Sequence, residues 1–508
     1  MTNEQIIMFA AIAGYLLIVL GVGVWCSKRN NSVDDFYLGG RRLGPLVTAM
    51  SAEASDMSSY LLMGVPGLAY ATGIADPAWT AIGLAIGTYL NWLIVAKRIR
   101  HYTQATKSIT IPDFFSNRYR DNKHIIMGIA ALIIIIFFVP YTASGFAACG
   151  KLFSSLFGIN YQIAMVISAI VIIGYTAIGG FLAASTTDFI QSIIMTLALL
   201  VVFGFGISVA GGVDAVIENA KAIPGYLSFT QTHIVETNSA NPYGIITIIS
   251  TLAWGLGYFG MPHILLRFMA IEDSHKLKTS RRVASVWVVI SLGIAVLIGI
   301  IGMGMVNNNA LSPLSDPETI IVQIANLLSQ NGVLAAIVGG IILAGILAST
   351  MSTADSQLLA ASSSVSENII GGVFKIKTSK KASMIIARAT LIIIAVISIF
   401  IAWDQNSSVF SIVSFAWAGF GAAFGPVVLF ALFWKRSNLS GALAGMISGG
   451  IMVFIWKYLI RPLGGVWNIY ELLPAFIVSC IFIVVVSLLT KAPSKQIQNE
   501  FEKVKAMK

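Results

Sequence analysis

The sequence predicts an all-α polytopic membrane protein. Three observations carry this: 57% of the 508 residues are hydrophobic, only 11% are charged, and the mean hydropathy is +0.84 over the whole length. A soluble domain covers itself with polar surface and carries roughly a quarter charged residues, so a soluble enzyme is excluded. With about 20 apolar residues needed per spanning helix, the chain divides into about thirteen stretches.

Taken in order, the expected spans are 6–26, 44–70, 74–96, 124–148, 160–183, 188–210, 243–266, 283–306, 332–362, 383–402, 407–434, 440–459 and 471–490. The first follows Glu4 with neither a basic flank nor a small-residue cleavage pattern, and so reads as a retained helix rather than a signal peptide. Polar connections at 97–123, 211–242 and 307–331 separate later spans, the last with Asn307-Asn308-Asn309 and Ser312-Pro313 as turn chemistry. The tail after Thr490 is short, with no room for a signalling domain, and the whole chain 1–508 reads as a single transport domain.

Charge orients the bundle. With the N-terminus outside, alternate connections holding Lys28, Arg29, Arg41, Arg42, Lys375 and Lys377 among others gather 27 of the 32 Lys and Arg on the inner side. The outer connections hold only Lys151, Lys221 and Arg461. Basic loops face the cytoplasm, so the count of spans is odd, the C-terminus is cytoplasmic and the location is the cell membrane. The net charge of +10 then reflects topology and contact with the lipid bilayer, not a nucleic-acid partner, and no obligate protein partner is implied. Cys26, Cys149 and Cys480 lie in or beside apolar stretches without paired spacing, so they form neither a disulfide framework nor a zinc site.

The informative residues are polar ones where a membrane helix should be apolar. The second span carries Ser51-Ala52-Glu53-Ala54-Ser55-Asp56-Met57-Ser58-Ser59, then Gly64, Pro66 and Gly67. A carboxylate at bilayer depth costs roughly 2.5–3.5 kcal/mol on insertion scales, so Asp56 faces protein or water and points to function. Glu53, one turn earlier, either shares that face or reaches for the cytoplasmic interface.

The ninth span carries Ser349, Thr350, Ser352, Thr353, Asp355, Ser356 and Gln357; spacings of three and four put Ser349, Ser352, Thr353 and Ser356 on one stripe. Hydroxyls that only join packed helices contribute roughly 0.6 kcal/mol each. So dense a run, together with an acidic broken helix, instead offers the hard oxygen ligands an alkali cation needs. The seventh span, Trp254 to His263 (WGLGYFGMPH), is also interrupted by Gly and Pro. Two interrupted helices five spans apart suggest inverted repeats, about 44–210 and 243–434, with 6–26, 440–459 and 471–490 peripheral and the site between the repeats. Trp254 and Tyr258 share a face that serves either as core or as a wall for an apolar ring or an ammonium. Asp188, after Thr186-Thr187, is either a helix-cap residue or a second cation contact.

Other classes fit less well. An embedded enzyme needs a convergent nucleophile and base or metal ligands, and five histidines mostly in loops offer neither; no cofactor is called for, a sodium ion aside. A channel would want charged rings about an oligomer axis.

These residues resemble the sodium:solute symporters, most closely the sodium/proline branch of that family. The resemblance rests on Asp34-Asp35-Phe36-Tyr37-Leu38-Gly39-Gly40-Arg41-Arg42-Leu43-Gly44, on Ser55-Asp56-Met57-Ser58 with Leu62 to Gly67, and on Trp254 to Met269. Ser349 to Leu359 and Phe420 to Phe430 extend it over roughly Asp34 to Arg436. It implies a LeuT-like fold of five plus five inverted repeats and sodium-coupled uptake of L-proline by alternating access. It further implies sodium held by carbonyls of Ala54, Met57 and Ser349 and hydroxyls of Ser352 and Thr353, with Asp56, Ser58 and Asp188 tuning cation affinity or coupling. Tyr141, Trp254, Tyr258 and Pro262 resemble proline-site positions. Glu53 and Ser59 depart from the smaller residues of some relatives. Another amino acid, a betaine or a monocarboxylate is the alternative solute.

Overall fold

The computed structural model describes residues 2–27, 33–376 and 379–507; the predicted inner cations Lys28, Arg29, Lys377 and Lys508 lie outside them. In chain order the main elements are α1 (Asn3–Ser27), α2 (Pro45–Ser59), α3 (Val65–Thr72), α4 (Ala75–Leu90), α5 (Ile111–Tyr119), α6 (Ile125–Phe157) and α7 (Tyr161–Val209). After a hairpin of β1 (Gln231–Ile234) and β2 (Ser239–Pro242) come α8 (Ile245–Leu252), α9 (Pro262–Ala270), α10 (Leu277–Asn307) and α11 (Val333–Ser363). The chain ends with α12 (Lys380–Ile401), α13 (Val409–Phe433), α14 (Leu439–Ile455), α15 (Leu472–Leu489) and α16 (Lys495–Lys505). The chain is mostly helical as expected, and the connection after α7 adds one antiparallel pair with Gln231 opposite Pro242. Its turn is made by Asn238 in the left-handed region, φ 45°, which an asparagine side chain tolerates.

Among the described residues ten helices are long and apolar enough to cross a membrane, eleven if the bent pair Ile245–Gly260 and Pro262–Ala270 is one span. Two of the thirteen expected spans fall short of that standard. The first is 44–70, where helical geometry fails at Ser58 (φ 48°, ψ −168°) and polar residues crowd the middle. The second is 160–183, which is represented by the shorter apolar helix Tyr161–Gly174; within the candidate span Thr176–Val209 that follows, Gly180 (φ 64°, ψ −168°) departs from helical geometry. Glycine alone takes that conformation without a side-chain penalty.

Two interrupted helices lie at the centre. Past Ser58, the chain winds through a widened turn, Tyr60–Gly64, into α3. Past α8 it tightens into a 3₁₀ stretch, Ala253–Gly260, passes through extended Met261 (φ −77°, ψ 109°) and restarts at Pro262, bent by 48°. Pro262 stands in the first turn, where a missing N–H costs nothing. The continuous helix α11 packs against α1, α2, α6 and α7, so its hydroxyl-rich middle faces the break in α2. Arg41, from the motif before α2, donates to the carbonyls of Met269 (2.7 Å) and Ser108 (2.7 Å) and so ties the end of α9 to the connection before α5.

Candidate functional site

The break at Ser58 frees backbone carbonyls that an intact helix would consume. One of them, Ala54 O, accepts a hydrogen bond from Ser352 Oγ at 2.8 Å, across 298 residues of sequence. Ser352 Oγ also meets Ser349 O (3.1 Å), and Thr353 Oγ1 donates to the same carbonyl at 3.2 Å. Ala54, Ser349, Ser352 and Thr353 are thus brought together, all buried. The Met57 carbonyl lies one turn further on and accepts from Tyr60 N–H at the break. Every group in this set is a neutral oxygen.

Asp56 points to the other side of α2. Its Oδ2 accepts the Tyr258 hydroxyl at 2.6 Å, and its backbone carbonyl accepts the Tyr141 hydroxyl at 3.2 Å. Oδ1 has no partner among the described residues. Ser58 Oγ accepts from Tyr60 N–H (3.1 Å), stabilising its own strained backbone. The structure therefore joins Asp56, Tyr141 and Tyr258 directly, with Trp254 one turn before Tyr258 and Pro262 just beyond, at the restart of the bent pair.

Asp56, Met57, Tyr60, Leu84, Tyr141, Trp254, Val413 and Trp417 enclose a cavity of about 10 Å³, room for about one water molecule. Its roof is aromatic. Tyr60 stacks on Trp254 (centroids 5.5 Å apart) and on Phe410 (5.5 Å), while Trp254 stacks on Tyr470 at 4.9 Å. Trp417 stands edge-on to Tyr258 at 5.1 Å and donates its Nε1 hydrogen to Trp254 O at 2.8 Å. Beyond Phe410 a wider cavity of about 480 Å³ opens, lined by Gly64, Lys151, Asp316 and Glu318. Sequence reasoning passed over Tyr60, Phe410 and Trp417 because aromatic residues in apolar spans carry no local mark of function.

Asp188 meets a different partner. Its Oδ2 accepts Ser51 Oγ at 2.6 Å and the Arg267 guanidinium at 3.0 Å. Arg267, counted from sequence as the first cation of an inner loop, is instead fully buried in α9. It also donates to Ser51 Oγ (3.0 Å), His263 O (3.1 Å) and Ser356 Oγ (2.6 Å), binding α2, α7, α9 and α11 together. The available signal was its place four residues after His263, inside an otherwise apolar helical run. Asp355 lies near this knot, one oxygen accepting Ser356 Oγ (3.0 Å). Glu53 is buried and not at an interface: its Oε1 accepts Thr88 Oγ1 (3.0 Å) and Trp92 Nε1 (2.9 Å).

No His, Cys, Asp and Glu group of three or more that could hold a metal occurs among the described residues. What the geometry offers is neutral oxygens between two helices, beside a carboxylate and an aromatic cage.

The sodium:solute symporter family model matches residues 36–449. The chain is 41% identical over 499 residues to sodium/proline symporter 2 of Staphylococcus saprophyticus, covering 97% of this chain and 94% of that one. It is 40% identical over 508 residues to the sodium/proline symporter of Staphylococcus aureus, covering 98% and 95%. Among solved structures, a Na⁺-coupled sialic acid symporter in a substrate-bound outward-open state aligns with a TM-score of 0.79 at 19% identity, over 96% of this chain and 99% of that one. MhsT in complex with L-phenylalanine aligns at 0.54 and 15% identity, over 88% and 98%. These two likenesses speak to the fold.

Proposed function

The chain belongs to the sodium:solute symporter family, and we propose that it carries L-proline into the cell by sodium-coupled symport. The observation that carries this reading is the hydrogen bond from Ser352 Oγ to Ala54 O, which sets hydroxyls of a continuous helix against the carbonyls of a broken one. Sodium would replace that hydrogen bond, taking the carbonyls of Ala54, Met57 and Ser349 and the hydroxyls of Ser352 and Thr353. Such hard oxygens substitute for an alkali cation's water shell.

Proline would lie between Tyr141, Trp254, Tyr258 and Pro262, its ring on the aromatic faces and its carboxylate near the half-helix ends, where the backbone dipole is positive. Asp56 and Ser58 link this cage to the sodium oxygens through one turn of α2. Sodium, by bridging α2 and α11, would stabilise the outward-open form. Asp188 would act on cation passage through the Arg267 knot. The reading includes an inverted repeat over about 44–210 and 243–434, thirteen spans counting the two interrupted ones, an outer N-terminus and a cytoplasmic C-terminus.

One sodium per solute suffices. A tenfold gradient and 100 mV together release about 3.7 kcal/mol, which corresponds to roughly 500-fold accumulation of a neutral zwitterion.

The test is uptake of labelled L-proline into proteoliposomes under an inward sodium or an inward potassium gradient, for the natural sequence and Asp56→Asn. Sodium-dependent uptake that weakens in the variant is expected. Absence of proline uptake in either gradient would assign the fold to a different solute, and equilibrium proline binding indifferent to sodium would refute the coupling.

A further inference from the structure

Away from the central site, a cavity of about 230 Å³ lies between α1, α6, α7 and α11. Its inner wall is Leu347 and Met351 of α11, one turn apart and so on one face. Ile12 of α1 and Cys149 of α6 flank that wall. The mouth is formed by Phe9, 46% exposed, and Ile167, 57% exposed, and the surface continues outward over Ile163 and Ile170 at 56% and 61%. Phe9 stands on a helix long and apolar enough to cross a membrane and the three isoleucines on an adjoining apolar helix, so in a bilayer their exposed faces would meet hydrocarbon.

Water has no place in this cavity. A buried water needs two to four polar partners. The one hydroxyl in the lining, Ser168 Oγ, already donates to Ala164 O at 2.8 Å. A dry void of this size forfeits dispersion contacts along its whole lining. An apolar cavity of roughly 150 Å³ suffices to take up a benzene ring, and this one is larger.

We propose that a phospholipid acyl chain enters between α1 and α7 and occupies this cavity, reaching the back of the helix that carries Ser349, Ser352 and Thr353. The bilayer supplies such chains at the mouth continuously and in great excess over free fatty acid. Met351, touched by the chain, sits next to Ser352, so the occupant fills the space into which this turn of α11 could otherwise shift away from α2. Tyr15, whose hydroxyl stands 4.0 Å from Met351 Sδ and accepts from Gln191 Nε2 (3.0 Å), holds the far side of the same methionine.

The full chain reconstituted with a phospholipid bearing a mid-chain diazirine tests this by photolysis and mapping of the adducts. Adducts on the peptides containing Cys149 and Met351 are expected beside those on exposed Leu197 and Leu200. Filling the cavity with Ala164→Phe or, separately, Ala13→Leu should lower the inner adducts by about fivefold or more while the outer ones stay within about twofold, since a filled cavity no longer admits an apolar guest. Proline uptake by each variant reports that it has folded. The proposal is overturned by adducts confined to exposed residues in the natural sequence, or by inner adducts that both filled variants leave unchanged. It is equally overturned by inner labelling from a diazirine fatty acid but not from the phospholipid.

Discussion

Ser51 and Ala54 stand one turn apart on α2, yet the groups they meet are of opposite kind. At Ala54 the partner is the Ser352 hydroxyl, which together with Thr353 Oγ1 also meets Ser349 O, with no fixed charge among them. At Ser51 they are a full carboxylate and a full guanidinium, Asp188 and Arg267, paired out of contact with water. A neutral set held by single hydrogen bonds can admit a small cation and release it again. A buried ion pair cannot lose one member without stranding the other charge in a medium of low dielectric constant. On the proposed function, cation exchange would fall to the first region, while the second joins four helices.

That contrast is open to direct attack. The largest effect should come from Arg267→Met, which leaves Asp188 buried and unpaired. We expect about 3–5 kcal/mol of destabilisation, read as a lowered thermal midpoint in detergent, with most of it restored in Arg267→Met/Asp188→Leu. A single variant as stable as the natural chain would remove this joining role from the account.

Next in size, Ser352→Ala should leave the thermal midpoint nearly unchanged but raise the sodium concentration for half-maximal proline uptake by about 10- to 100-fold, the effect of removing one polar partner worth about 1.4–2.7 kcal/mol. Equal sodium dependence in variant and parent would show that the hydroxyl serves packing alone.

Tyr258→Phe removes a hydrogen bond to a carboxylate and should weaken proline binding by about tenfold, corresponding to about 1.4 kcal/mol, with a smaller change in maximal rate. An unchanged KM would separate Asp56 from the substrate cage.

The smallest effect is expected of Glu53→Gln. The amide oxygen can still accept from Thr88 and Trp92, so uptake should remain within about threefold of the natural chain, whereas Glu53→Leu should fall much lower by leaving both donors unsatisfied. Equal loss in both variants would mean that the charge itself is required.

Local signals made much of this site legible. Gly and Pro marked the interruption before Pro262, whereas in α2 the break falls at Ser58, ahead of Gly64 and Pro66; a carboxylate in an apolar span marked Asp56, because its cost is paid within a few residues of sequence. The helical stripe from Ser349 to Ser356 was visible for the same reason. What stayed hidden depends on partners far along the chain. Arg267 looks like an ordinary loop cation until α7 brings Asp188, 79 positions away, to within 3.0 Å. Tyr60 joins Phe410 and Trp417 of α13 in one roof from two separate segments, and nothing in either segment announces the other. Gly180 escaped as a break because a single glycine in a long apolar run leaves too weak a trace, and the two flanking stretches read simply as two spans.

The tightness of the aromatic enclosure has a thermodynamic corollary. A space of about 10 Å³ admits no amino acid, so if the solute takes the place proposed above, binding would draw on an expanded shape of the same protein. The apparent dissociation constant would then be the intrinsic one divided by the fraction of molecules already expanded. Substitutions that loosen Tyr60 against Phe410, without touching any group that meets the solute, should therefore make the carrier bind more tightly and discriminate less.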